Sequence, residues 1–219
     1  PPTFKKIKAM TLKDLYDASP FGMVSSFFYG TIQAALFTLL AVYATSMNFT
    51  ILEISIVTFL LAISGAIAQF PIGKISDLYD RRKVIIFSTF GAAIFALISI
   101  IVSRQMYLPG DLATSKTLFY ISFIIFSFCS LPMFSLILAH TNDYISKDKF
   151  VAAGAGLQFV FGLGAISGPF LCSIFMDIVG SNGFFIFLCF FHIIIGIFGI
   201  YRMKIRPTVE NPDSQFVPM

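Results

Sequence analysis

Gly73-Lys74-Ile75-Ser76-Asp77-Leu78-Tyr79-Asp80-Arg81-Arg82-Lys83 is the polar interruption between two long apolar runs. Ile51–Ile72 precedes it, with Glu53 as the one charge near its start, and Val84–Ser103 follows it. The hydrocarbon core of a bilayer is about 30 Å thick, and a helix crosses it with roughly 20 apolar residues. Both runs are therefore long enough to span, and the eleven residues between them read as a short loop at the membrane surface. Lys74, Asp77, Asp80, Arg81, Arg82 and Lys83 make this loop densely charged. Reversing the chain does not by itself require a glycine at the start or an aspartate four residues later.

Working outward, the rest of the chain repeats the same pattern. Six spans are expected, at Pro20–Ala44, Ile51–Ile72, Val84–Ser103, Leu118–His140, Phe150–Met176 and Gly183–Arg202. Hydrophobic residues make up 57% of the chain and charged residues 12%, against about 25% charged in a soluble domain. No segment alternates with the period of two that a membrane β-barrel strand shows. The expected fold is an all-α membrane protein, and the lipid bilayer is its first partner. The 28 phenylalanines without a single tryptophan are unusual. Tyr29, Tyr43, Tyr107, Tyr120 and Tyr201 are then expected to supply much of the interfacial aromatic belt.

The basic residues are strongly one-sided. Lys5, Lys6, Lys8 and Lys13 precede the first span. Lys74, Arg81, Arg82 and Lys83 follow the second, Lys147 and Lys149 the fourth, and Arg202, Lys204 and Arg206 the last. Only Arg104 and Lys116 fall on the opposite side. Short loops rich in Lys and Arg stay in the cytoplasm, so both ends of the segment and the eleven-residue stretch are expected there. Basic residues dispersed through loops are not a nucleic-acid footprint. Cys129, Cys172 and Cys189 all lie inside apolar runs, with no spacing for a metal or a disulfide framework. No cofactor is called for, and nothing points to an enzyme: there is no zinc spacing, no nucleophile beside a base, and no phosphate-binding glycine loop.

The Gly73–Lys83 stretch resembles the loop between the second and third helices of one half of a major facilitator superfamily transporter. Gly73, Asp77, Arg81 and Arg82 match that pattern, whereas Leu78 stands where a basic residue is usual and Asp80 where a glycine is usual. Ala139-His140-Thr141-Asn142-Asp143, the stretch Phe150–Pro169 and the Phe-Val-Pro near the C-terminus resemble the YcaD-type bacterial branch of the superfamily. The resemblance implies that residues 1–19 end a central cytoplasmic linker and that 20–206 are the C-terminal six-helix half of a twelve-helix transporter. Residues 207–219 would then be a cytoplasmic tail. It further implies a bacterial inner-membrane location, an N-terminal half as partner, and a small solute moved by alternating access. The chain opens on Pro1 rather than Met, in keeping with a piece of a longer protein.

In that family an aspartate such as Asp77 clamps a helix of the opposite half when the cytoplasmic side is closed. Gly73 would allow close helix approach. The plainer reading is that the basic residues only fix topology. A second signal is the glycine load of the fifth span, where Gly154, Gly164, Gly168 and Pro169 are expected to pack tightly or bend the helix. Leu163-Gly164-Ala165-Ile166-Ser167-Gly168-Pro169 resembles the Gly-Pro signature of antiporters. Polar residues inside spans are the candidates for a solute cavity: Tyr29, Gln33, Gln69, Ser127, Ser130 and Gln158. Each could equally bond a neighbouring helix. His192, alone in mid-membrane, is expected to be structural. With no mid-membrane carboxylate here, any acid that carries a coupling proton belongs to the other half, or transport is uncoupled. The alternatives to a transporter half are a non-transport subunit or sensor and an oligomeric six-helix channel. A channel would show a charged ring or a filter loop, and neither is evident.

Overall fold

The computed structural model describes residues 9–205. The expectations for Lys5, Lys6, Lys8, Arg206 and the tail lie outside them. In chain order the helices are α1 (Leu12–Ala18), α2 (Pro20–Ser46), α3 (Ile51–Leu78), α4 (Arg81–Gln105), α5 (Leu112–Ser130), α6 (Met133–Asn142), α7 (Phe150–Val179) and α8 (Gly183–Ile205), with a short 3-10 turn at Lys147–Lys149. Among the described residues six stretches are long and apolar enough to cross a membrane: α2, α3, α4, α5 with α6, the 3-10 turn with α7, and α8. The all-α, six-span architecture read from hydropathy is the one observed.

The ends of the helices differ from the hydropathy boundaries in an informative way. The eleven polar residues are not a loop. α3 continues through Gly73–Leu78 and α4 begins at Arg81, so only Tyr79 and Asp80 lie between them. A helix of 28 residues is roughly 42 Å long at 1.5 Å per residue, longer than the hydrocarbon core. Hydropathy marks where lipid ends, but the backbone goes on forming i to i−4 bonds beyond it. Pro71 lies inside α3 without ending it. α4 starts where the Asp80 carboxylate accepts from the Arg82 backbone N–H at 3.0 Å, as an N-cap does.

The fourth span is also more complex than one helix. It breaks at Leu131–Pro132 into α5 and α6, because proline has no N–H to give and its ring crowds the preceding turn. At the far end of the bundle the α2–α3 turn passes through Asn48 at φ 59°, a left-handed conformation that asparagine tolerates. Gly180, at φ 79°, turns α7 into α8 where a side chain would be strained.

Lipid gives no hydrophobic drive to join one helix to another, so shape and hydrogen bonds must do it. The phenylalanines supply much of the shape. Phe119, Phe123 and Phe126 of α5 each meet Phe185 of α8 edge-on, Phe184 packs against Phe185, and all five are buried. Tyr43 joins them, with ring centroids 5.1 Å from Phe184 and 5.0 Å from Phe185. Tyr43 and Tyr29 are therefore core residues and not part of an interfacial belt. Tyr16, Tyr79, Tyr107 and Tyr201 are the exposed ones. The other main seam is α2 against α7, the most extensive helix pair. α1, started by a Thr11–Asp14 capping box, lies against α2 and α7, with Leu15 buried together with Ala153 and Leu157.

Candidate functional site

Gln33, Gln69 and Gln158 come from three different helices and line one open cleft of about 610 Å³. Gln33 sits at the centre of α2, Gln69 in the second half of α3 and Gln158 in the first half of α7. Ser135 of α6 joins them and donates to Gln69 Oε1 at 3.2 Å. Phe37, Phe134 and Phe161 form the apolar part of the wall, with Phe134 edge-on to Phe161 at 5.3 Å. A smaller cavity of about 180 Å³ shares Gln69 and Ser135 and runs between α3 and α6 past Gly73, Ser76, Asp77 and Ala139. The polar cleft thus leads to the α3–α4 turn.

At that turn the charges are matched specifically. Arg81 donates through Nη2 to Asp77 Oδ1 at 2.9 Å, and through Nη1 to Asp143 Oδ1 at 2.6 Å and to the Ala139 carbonyl at 3.0 Å. One guanidinium therefore ties the end of α3 to the end of α6. Arg82 is buried and turns the other way, donating through Nε and Nη2 to the two oxygens of Asp80 at 3.1 and 2.9 Å. Asp80, at the position where the family pattern has glycine, both caps α4 and neutralises Arg82. Burial raises the Asp143 carboxyl above its ordinary range, the charge and hydrogen bonds of Arg81 only partly offset this, and Asp77 and Asp80 push the same way as burial. Gly73 lines the cavity with nothing within 4 Å of where a Cβ would stand, so no close approach among the described residues depends on it.

Three of the expected cavity residues are engaged elsewhere. Tyr29 is fully buried and donates to the Leu131 carbonyl at 3.0 Å, beside the break between α5 and α6. Ser127 donates to the Phe123 carbonyl of its own helix at 2.7 Å. Ser130 meets His192 Nε2 at 2.9 Å. His192 Nδ1 lies 2.7 Å from the Leu188 carbonyl, which can only accept, so Nδ1 carries a proton and donates to it. Tyr29 and Ser130 fasten helices together, Ser127 bonds only within α5, and none of the three lines the cleft. Ser135 was missed because the fourth span was read as one helix, and Pro132 changes which residues share a face. Asp143 was missed as a partner because it lies 62 residues from Arg81.

The glycines of α7 also divide. A Cβ on Gly164 would fall on the Phe27 carbonyl, and one on Gly168 on the Thr31 carbonyl, both of α2. Gly30 of α2, which the sequence reading passed over, reciprocates against the Phe161 carbonyl. Gly154 makes only an ordinary contact, 3.7 Å to Leu138. Pro169 lies inside a continuous α7. Where the bundle is closed at the opposite end, Lys116 Nζ meets Glu53 Oε1 at 2.5 Å, a pair not foreseen from sequence, and Glu53 also completes a capping box with Thr50.

Among relatives, an uncharacterized MFS-type transporter of Yersinia enterocolitica is 25% identical over 189 residues, which is 86% of this chain and 44% of the relative. One from Bacillus subtilis is 25% identical over 181 residues, 81% of this chain and 44% of that protein. One from Methanocaldococcus jannaschii is 26% identical over 179 residues, 81% of this chain and 42% of that protein. The chain thus spans less than half the length of these curated relatives. No solved structure gives a significant match. The model of the Major Facilitator Superfamily matches residues 22–217, nearly the whole length, and the chain belongs to that superfamily.

Proposed function

We propose that this chain is the C-terminal six-helix half of a secondary transporter, which moves a small solute across a bacterial inner membrane by alternating access. The observation that carries the reading is the open cleft with Gln33, Gln69 and Gln158 on its wall. Amide groups facing hydrocarbon are costly, and such a wall is sensible only if a second body covers it and water or solute fills the space. In transporters of this type the site lies near the midplane between two repeats, which rock about it. An N-terminal half is the natural second body.

In this reading the α3–α4 turn and both ends of the segment face the cytoplasm. Asp77 and Arg81 form one side of the cytoplasmic gate, with Arg81 anchored on α6 through Asp143, so that a movement of α6 is passed to α3. Gly164, Gly168 and Gly30 let α2 and α7 move as one rigid wall. Coupling to a proton, if present, uses an acid of the other half.

The test is cysteine accessibility in the complete transporter. Cysteine at Gln33 should react with a membrane-impermeant thiol reagent from either side, depending on conformation. Cysteine at Ser181 should react only from outside and at Ser146 only from inside. Failure of Gln33→Cys to react from either side would place this wall in lipid, and external labelling at Ser146 would reverse the orientation.

A further inference from the structure

A second cleft, unconnected with the glutamine wall, opens between α3 and α4. Its volume is about 440 Å³, and Ile72, Ile75, Val84 and Phe87 form half of its lining, with Tyr79 and Lys83 among the other lining residues. On α3, Ile75 lies six residues beyond Gln69, which at 3.6 residues per turn puts it well round the helix from the solute cleft. Ser88 and Cys129 are also part of the lining. From Tyr79 back to Ile72 is seven residues, about 10 Å of helix, enough to receive the first several methylenes of an acyl chain.

The charges around the α3–α4 turn are unevenly matched. Arg81 is paired with Asp77 and Asp143, and Arg82 with Asp80. Lys83 belongs to the same turn, is exposed, and shows no carboxylate within ion-pair distance among the described residues. An ammonium at the head of an apolar cleft, at the depth where a helix leaves the hydrocarbon, calls for an amphipathic anion. Ile75, Tyr79 and Phe87, which line the cleft with it, are exposed, and basic pockets between spanning helices suit anionic headgroups.

We propose that the α3–α4 cleft is a binding site for one anionic phospholipid, its acyl chain against Ile72, Ile75 and Phe87 and its phosphate on Lys83 beside the Tyr79 hydroxyl. The proposal needs only that the chain is membrane-embedded; it is independent of the solute cleft and of the orientation. By holding a lipid against both arms of the α3–α4 turn, the site would couple lipid composition to the Arg81 clamp.

The experiment uses purified protein titrated with phosphatidylglycerol or with phosphatidylcholine of the same chains. Bound lipid is read by native mass spectrometry, and occupancy of this cleft by the rate at which a hydrophobic maleimide modifies Cys129, located by peptide mapping. Wild type should retain phosphatidylglycerol over phosphatidylcholine, and phosphatidylglycerol should slow Cys129 labelling. Lys83→Ala should lose about fivefold in phosphatidylglycerol affinity, the worth of one lysine near an anionic surface, and should lose the protection. Lys74→Ala, the same charge change outside the cleft, should do neither. Equal effects of the two variants, equal retention of both lipids, or Cys129 labelling that phosphatidylglycerol leaves unchanged would each overturn the proposal.

Discussion

Arg81 holds three acceptors at once, and each loss has a different consequence. The Asp77 side chain is 68% exposed, and an exposed ion pair contributes only about 0.2–1 kcal/mol. Asp77→Asn should therefore leave unfolding almost unchanged while shifting the complete transporter toward cytoplasm-open states and impairing uptake. Unchanged transport with unchanged accessibility of cleft cysteines would remove the gate role from Asp77. Asp143 is more enclosed, and its carboxyl is raised above the usual range, chiefly by burial. The folded protein thus holds this proton more tightly than the unfolded chain does. Its contribution to stability is complete below the ordinary carboxylate range and is lost as pH rises through the raised value. Asp143→Asn should flatten thermal stability across that window without lowering it at neutral pH; a variant with the same pH slope as wild type would contradict this. Asp77 and Arg81 were both singled out in the sequence, but read as parts of a loop; what joins them is the tight turn at Tyr79–Asp80 that sets the end of α3 against the start of α4. The Arg81–Asp143 pair was not legible, since only packing of α3 and α4 on α6 creates it.

Among the elements, α7 shows how far a glycine pattern can be read. Gly164 and Gly168 were expected to be packing positions, but nothing in the sequence said which helix they would meet, and Gly154 looked equivalent to them. The partner is α2, whose backbone carbonyls occupy the space where Cβ atoms would stand. Gly168→Ala should therefore destabilise by about 1–3 kcal/mol, as overpacking does. Gly162→Ala, with nothing near its Cβ position, should be neutral or slightly stabilising, since alanine favours helix by about 1 kcal/mol. Thermal unfolding in detergent measures both, and equal effects would mean that the α2–α7 seam is looser than described. The broken fourth span was also partly legible: Pro132 was plain in the sequence, but apolar residues on both sides hid it, because hydropathy is blind to a missing N–H. Tyr29, placed by sequence in the cavity, instead spends its hydroxyl on the Leu131 carbonyl at this break.

Seen as a whole molecule, six helices surround a phenylalanine-rich core on one side and leave a polar cleft on the other. The spans could be counted from composition because lipid demands long apolar runs. The cleft could not be drawn, because whether a glutamine within a span faces a neighbour, lipid or a cavity depends on helix rotation, and the all-round apolar helices carry little periodicity to fix it. The central claim is that this wall needs a second half. The direct measurement is solute uptake into liposomes containing this chain, with and without a six-helix N-terminal half supplied as a separate polypeptide, against a panel of radiolabelled small solutes. Saturable, substrate-selective uptake is predicted only when both are present. The same uptake by this chain alone would show that it is a complete transporter in itself.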